Sequence, residues 1–342
     1  MFDLGETPAA IGGRRVTLNE AIGAAAHLLG VASLPVIAGL RTDAAGAVAA
    51  AALARRLRGV LDHADSEAAL RDFAAMRSAG RITATPMLVR AEADVVLLVG
   101  DMPADVAAML ALDRPPPLDE ARRPRRVERI AGGDDVTERI GCVRALVKRR
   151  AIEAPPALVA LADVLRGARY GAVVWAAAAL PTLAVEMLCG LIEDLNAKTR
   201  FAGVPLPGAG NVAGVAQALG WETGFPFRVA FRDGVPRHDP WRFDATRLVD
   251  GGEADAALWL DALGEGPPPW RRPVKLVALA PPGARFATAP DVALAVGRPG
   301  VDHAAALFHS AAAALLASGP AAARGGPAAA DLLARITAAL PC

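Results

Sequence analysis

Three cysteines, Cys142, Cys189 and Cys342, are the residues here best suited to soft-metal chemistry, and their spacing argues against it. No two of them form a CxxC pair, so neither a zinc site nor an iron–sulfur cluster is encoded. An odd count, behind an N-terminus with early acids and no apolar run, points to a reducing cytoplasm. The histidines are His27, His63, His238, His303 and His309. They form no HExxH, and the interval from His303 to His309 does not stack two ligands on one helical face. A surface or hydrogen-bonded core role is expected for each. GxxxxGK[ST] and GxSxG are both missing, which removes a phosphate-cradling loop and a nucleophile elbow. Gly208-Ala-Gly210-Asn-Val-Ala213 fits a loose dinucleotide pattern. The preceding Val204-Pro-Leu-Pro207 is a poor central strand, however, and no acid stands at the distance a ribose needs. No catalytic, cofactor-binding or metal-binding residue is assigned, and no cofactor is expected.

Charge gives no general reason to expect either of two partner classes. Lys and Arg number 37 against 36 Asp and Glu, a net charge of +1, which favours neither nucleic acid nor an anionic membrane. The densest basic cluster is Arg122, Arg123, Arg125, Arg126 and Arg129. Asp119, Glu120 and Glu128 dilute it, and Pro124 keeps it out of a regular helix, so it reads as a solvated connector. The uncharged run Ala304 to Ala323 has the length of a membrane span. It contains His309, Ser310, Ser318, Gly319 and Pro320, and reads as a soluble helix followed by a turn.

These residues must be positioned by a framework, and apolar runs outline it. Leu34 to Gly39, Gly59 to Asp62, Ala93 to Gly100, Tyr170 to Ala176, Glu253 to Leu260, Val274 to Leu279 and Asp291 to Val296 have the length of buried strands. Helical stretches lie between them, at 44–57, 156–165 and 182–199. Runs apolar on both faces and separated by helices predict α/β architecture, with parallel sheets covered on both sides. The Pro-rich stretch after Arg114 interrupts the pattern, and a second unit follows. A hydrophobic content of 54% over 342 residues supplies two such cores.

Residues Trp221-Glu-Thr-Gly-Phe-Pro-Phe227 predict a rigid loop, and alternation at Val229 and Phe231 before Gly234 predicts a hairpin. This segment resembles the B subunit of formylmethanofuran dehydrogenase, a tungsten- or molybdenum-pterin enzyme family. The resemblance rests on Gly210, Asn211, Gly214, Trp221, Thr223, Gly224, Phe225, Pro226, Gly234, Pro236, Arg237 and Pro240. His238 and Asp239 stand where the family tends to have Tyr-Asn. The runs at 34–39, 59–62 and 90–103 follow the family order. It implies two Rossmann-like parallel-sheet units of the molybdopterin oxidoreductase type, the second inserted into the first. The expected bounds are 1–125 with 250–342 for the discontinuous domain, and 140–249 for the inserted one.

The sequence departs from that family wherever its metal–pterin site would be. The cluster cysteines of the family's N-terminal module have no counterpart. The metal-ligating cysteine is expected shortly after the Val-Leu-Asp strand, where this sequence has His63-Ala-Asp-Ser-Glu-Ala-Ala69. A basic stretch is replaced by Ala104 to Met109, and a Gly-Thr-x-x-Arg element by Asp302 to His309. Such a shortened form resembles the B subunit of the bacterial formyltransferase/hydrolase complex of methylotrophs. The resemblance implies a non-redox structural subunit in tetrahydromethanopterin-linked one-carbon metabolism, cytoplasmic, and not itself catalytic. Its partners would be an amidohydrolase-like A subunit, a C subunit and a formyltransferase D subunit. The alternative is an active molybdenum- or tungsten-pterin dehydrogenase subunit. Arg122 to Arg129 would then be a candidate for weak contact with the glutamate tail of the furan carrier, against the solvated-connector reading.

Overall fold

A computed structural model describes residues 2–5, 8–117, 124–321 and 325–341. They fold into two compact units. The first comprises Met1–Ser66, Ala209–Phe308 and Leu315–Cys342; the second comprises Glu67–Gly208 and His309–Ala314. These bounds differ from the expected 1–125 with 250–342 and 140–249, and strand pairing is the reason. Val95–Val99 pairs with Gly171–Ala176, which draws the chain from 67 onward into the second unit. Val229–Ala230 pairs with Val60–Leu61, which draws the chain from 209 onward into the first.

The first unit is built on a nine-stranded sheet. Its centre is parallel, in the order Val60–Leu61, Pro35–Arg41, Ala256–Asp261, Lys275–Ala280, Val292–Ala295. Antiparallel strands flank it: Val229–Ala230 and Arg237–His238 at one side, Ala9–Ile11 and Arg14–Arg15 at the other. Alternate residues of the central strands point to opposite faces. Val36 and Ala38 pack with Trp259, Leu248 and Val249 in one buried cluster. Helices Leu18–Gly30, Ala44–Leu57, Val212–Thr223, Ala245–Asp250 and Ala329–Ala338 belong to this unit. The first is opened by a capping box in which Thr17 and Glu20 satisfy each other's amides.

The second unit carries a four-stranded parallel sheet in the order Arg126–Ile130, Val95–Val99, Gly171–Ala176, Phe201–Leu206. It is covered on both faces. Val95, Leu97 and Val99 pack with Ile140, Val143 and Leu188 on one side. Val96 and Leu98 pack with Val89, Val106 and Leu110 on the other. That explains why VVLLV reads as an unbroken apolar run rather than an alternating one. Phe201–Leu206 includes Pro205 and lies at the sheet's edge, where a residue without an N–H is tolerated.

Two expectations are corrected. The run from Ala304 forms a hairpin of Ala305–His309 with Ala314–Ser318, not a helix. Ala313 takes φ +50° in the connection, and tertiary pairing overrides the helix preference of alanine. Arg126 and Arg129 stand on the edge strand Arg126–Ile130, so that part of the basic cluster is no loose connector. Among the described residues, no helix is long and apolar enough to cross a membrane.

One irregularity aims the chain. Gly39 has φ +83° and Leu40 φ +50°, inside a central strand. The register against the neighbouring strand shifts between Trp259 and Asp261, which marks a bulge. A Cβ on Gly39 would lie 2.5 Å from the Leu260 carbonyl oxygen. Gly39→Ala is therefore expected to destabilise the fold by about 2 kcal/mol, through backbone strain and this close approach. Urea denaturation checks it; a change below about 0.5 kcal/mol, the scatter of ordinary surface substitutions, would mean the bulge relaxes freely.

Candidate functional site

The parallel strands of the first unit diverge from one gap. From Pro35–Arg41 the chain proceeds to Val60–Leu61 on one side of it. Ala256–Asp261 leads to Lys275–Ala280 and Val292–Ala295 on the other. Open α/β sheets bind ligands outside the carboxyl ends of their strands, at such a switch point. Here it is framed by Arg41, His63, Asp65, Glu265 and the Gly210–Asn211 turn.

Arg41 follows directly from the bulge. Its Nε lies 3.2 Å from Asp65 and 3.5 Å from Glu265. Its stem packs on Gly210, where a Cβ would come to 2.7 Å of Arg41 Cγ. Gly210 has φ +65° and donates its N–H to Glu265 at 2.9 Å. Asp261 accepts the amides of Gly264, Glu265 and Gly266, which holds the Glu265 loop in place. Asn211, also left-handed, donates to the Thr42 carbonyl at 2.7 Å and accepts from the Phe308 amide at 2.8 Å. The amino end of helix Ala44–Leu57 is closed by its own Asp43. The loose dinucleotide pattern is thus a turn bound to its own protein on each side.

His63 is neutral and locked. Its Nδ1 accepts the Asp65 amide at 2.9 Å, so that nitrogen carries no proton. Nε2 then carries it and donates to the Gly210 carbonyl at 3.0 Å. The ring is fully buried against Phe227, and burial pushes its pKa down to about 4 against the pull of the Gly210 carbonyl and Asp65. A residue with both nitrogens engaged cannot also ligate a metal. This is the stretch where the resemblance expects a cysteine, and no thiol stands in it. Cys142 and Cys189 lie on helices Val136–Val147 and Thr182–Asn196 of the second unit; Cys189 is buried, and burial raises its thiol pKa. Cys342 lies outside the described residues. Among those described, no group of three or more His, Cys, Asp and Glu is placed to hold a metal ion. The donor set at the gap does not suit a thiolate-held tungsten or molybdenum.

Beside His63, Asp62 begins a second buried network. Its carboxylate accepts the Ala245 amide at 3.0 Å and lies 3.5 Å from Arg228 Nε. Arg228 also pairs with Asp244 at 2.6 Å and donates to the Pro240 carbonyl. Burial pushes the Asp62 pKa up to about 7, against the opposing charge of Arg228.

The Trp221 segment serves these networks. Thr223 Oγ1 donates to the Leu219 carbonyl and accepts the Phe225 amide, and Gly224 at φ +81° ends helix Val212–Thr223. Phe225 stacks on His238 at 5.4 Å, Phe227 packs on His63, and Arg228 follows at φ +50°. Trp221 is exposed and takes no part in this packing. The unusual loop is a buckle that delivers Phe227 and Arg228. Arg41, Glu265 and Arg228 went unassigned in the sequence, where nothing separates them from other charged loop residues.

The described part of the basic cluster, Arg125, Arg126 and Arg129, does not act as a unit. Arg122, Arg123, Asp119 and Glu120 lie outside the described residues. Arg125 turns inward and donates to the carbonyls of Ala93, Leu110, Ala111, Val89 and Arg90. It ties loop ends together and is not available to a carboxylate tail. Arg126 pairs with Glu128 at 3.3 Å.

No family model matches the chain. It is 32% identical over 319 residues to the B subunit of the formyltransferase/hydrolase complex Fhc of Methylorubrum extorquens, covering 87% of either chain. To the B subunit of the tungsten-containing formylmethanofuran dehydrogenase 2 of Methanocaldococcus jannaschii it is 36% identical over 100 residues, 28% of this chain and 23% of that one. The structure superposes with a TM-score of 0.89 and 30% identity on a chain in the crystal structure of the formyltransferase/hydrolase complex (FhcABCD) from Methylorubrum extorquens with methylofuran. The match covers 96% of this chain and 98% of that one.

Proposed function

The chain belongs to the family of formyltransferase/hydrolase complex B subunits, and on that premise we propose that it is a non-redox structural component of such a complex. Its partners are the A, C and D subunits, and its setting is tetrahydromethanopterin-linked one-carbon metabolism in the cytoplasm of a methylotroph. The two units descend from a molybdopterin oxidoreductase fold, one nested in the other. The observation that carries this reading is similarity along nearly the whole chain, joined to a switch point whose groups bind one another. The alternative, an active dehydrogenase subunit, rests on a single stretch of 100 residues.

In this role the chain's chemistry is cohesive. Arg41, Asp65 and Glu265 hold the carboxyl ends of the strands together, and the neutral His63 bolts two loops across them. Formyl transfer and hydrolysis belong to partner subunits. Co-expression with the A, C and D subunits is expected to yield a four-subunit assembly, and elemental mass spectrometry to find no stoichiometric tungsten or molybdenum on it. Stoichiometric metal, with a pterin released on denaturation, would sink the proposal.

A further inference from the structure

A trough crosses the first unit at the amino-terminal ends of its parallel strands, opposite the switch point. Its wider part, about 830 Å³, is walled by Trp270 and Phe286, with Arg271 and Arg272 on the rim. Its narrower part, about 590 Å³, is walled by Ile11, Leu28 and Val31. The two parts share Asp255, Lys275 and Asp291, so they run into each other. Val31 is 65% exposed, and Trp270 is half-buried edge-on against Trp259.

Charge in the trough is sorted. Asp255 takes the Ser33 and Leu34 amides at 2.7 and 2.9 Å. Asp291 holds Lys275 Nζ and the Leu276 amide, each at 2.9 Å. Asp250 accepts the amides of Arg271 and Arg272 at 2.7 and 3.1 Å, which fixes the backbone beneath them. Each of these carboxylates is therefore already engaged by backbone amides or by Lys275, although Asp250 and Asp255 stay exposed. Both guanidinium groups are exposed and form no ion pair among the described residues. One end of the trough is aromatic and cationic; the other is aliphatic apart from His27.

We infer that this trough docks an extended segment of another subunit of the complex, one with two or more carboxylates near one end and aliphatic side chains near the other. The inference rests on the subunit reading above. The carboxylates meet Arg271 and Arg272 in charge-assisted, forked pairs, and the aliphatic groups cover Val31 and Leu28. Tryptophan and arginine together mark protein interfaces more than they mark open surface. The site lies at the wrong end of a parallel sheet for a small ligand, and its polar groups do not converge. Strand addition is excluded, because the strands that it crosses are already paired on both sides.

A photo-reactive residue at Thr288, which lines the wider part, tests the proposal in the assembled four-subunit complex. The expected cross-link lands on one stretch of an A, C or D subunit with carboxylates followed by aliphatic residues. Arg271→Glu with Arg272→Glu should weaken retention of that subunit about tenfold or more at low salt, and less at high salt. Val31→Asp should weaken it with little dependence on salt. Cross-links to a second copy of this chain, to a stretch without carboxylates, or to nothing in an assembled complex overturn the inference. So does unchanged retention in the charge-reversed variant. If the unaltered subunits do not assemble at all, the subunit reading itself fails, and the inference falls with it.

Discussion

Arg228→Ala is expected to cost about 3–5 kcal/mol of folding stability, the range seen when one partner of a buried ion pair is removed. The guanidinium is 7% exposed and joins three segments that are distant in sequence. Asp62 ends the Val60–Leu61 strand, Asp244 caps helix Ala245–Asp250, and Pro240 lies in the connection before it. Without the guanidinium, Asp62 and Asp244 face each other with no compensating charge. Protonation of Asp62 would relieve part of that cost, so the loss should be smaller at pH 5 than at pH 8. Arg228→Lys should recover little, because an ammonium cannot reach all three acceptors from one planar fork. Urea denaturation of single and double variants separates the pair from its surroundings. With Asp62→Asn already in place, Arg228→Ala should cost less than it does alone, and strictly additive losses would contradict the coupling.

Arg228 also shows where reading the chain reaches its limit. The buried strands are legible because a strand covered on both faces must be apolar throughout, as in Val95–Val99 and Ala256–Asp261. Partner choice between strands leaves no such mark. Nothing in the composition of residues 93–100 says that they pair with 171–176, and so the unit boundaries could not be placed from runs alone. Buried charge is equally silent. Arg125 sits inside a run of arginines that looks solvated, yet it turns inward to five carbonyls. The Trp221 segment is legible as unusual because Thr-Gly-Phe-Pro imposes specific backbone angles. What that rigidity holds, Phe227 on His63 and Arg228 against Asp62, depends on chain segments more than 150 residues upstream. The missing thiol at 63–69 is plain in the letters. That His63 is locked by the Asp65 amide and the Gly210 carbonyl is not, because the second partner comes from the far side of the other unit's sequence.

Adjacent buried groups of opposite titration behaviour should make contributions to stability that cancel in mild acid, a balance that either single substitution tilts. His63 is pushed from its ordinary 6.5 down to about 4, chiefly by burial. The folded protein then resists its protonation, so its contribution is complete above pH 6.5 and lost as pH falls towards 4. Asp62 is pushed from 3.8 up to about 7, again chiefly by burial. The folded protein favours its protonated form, so its contribution is complete below pH 3.8 and lost as pH rises through 7. Between pH 4 and 6.5 the unfolded chain holds a proton on His63 and the folded chain holds one on Asp62. The proton counts match, and the two slopes cancel. Asp62→Asn removes one side of the balance, and stability should then fall by about 1.4 kcal/mol for each pH unit of acidification across that window, relative to the unaltered protein. His63→Gln, whose amide can still donate to the Gly210 carbonyl, should tilt the profile the opposite way by a similar amount. Urea denaturation at pH 4.5, 5.5 and 6.5 reads both slopes as differences from the unaltered protein, so other titrating groups drop out. Parallel profiles for all three proteins would mean that neither group is held in the protonation state its burial dictates.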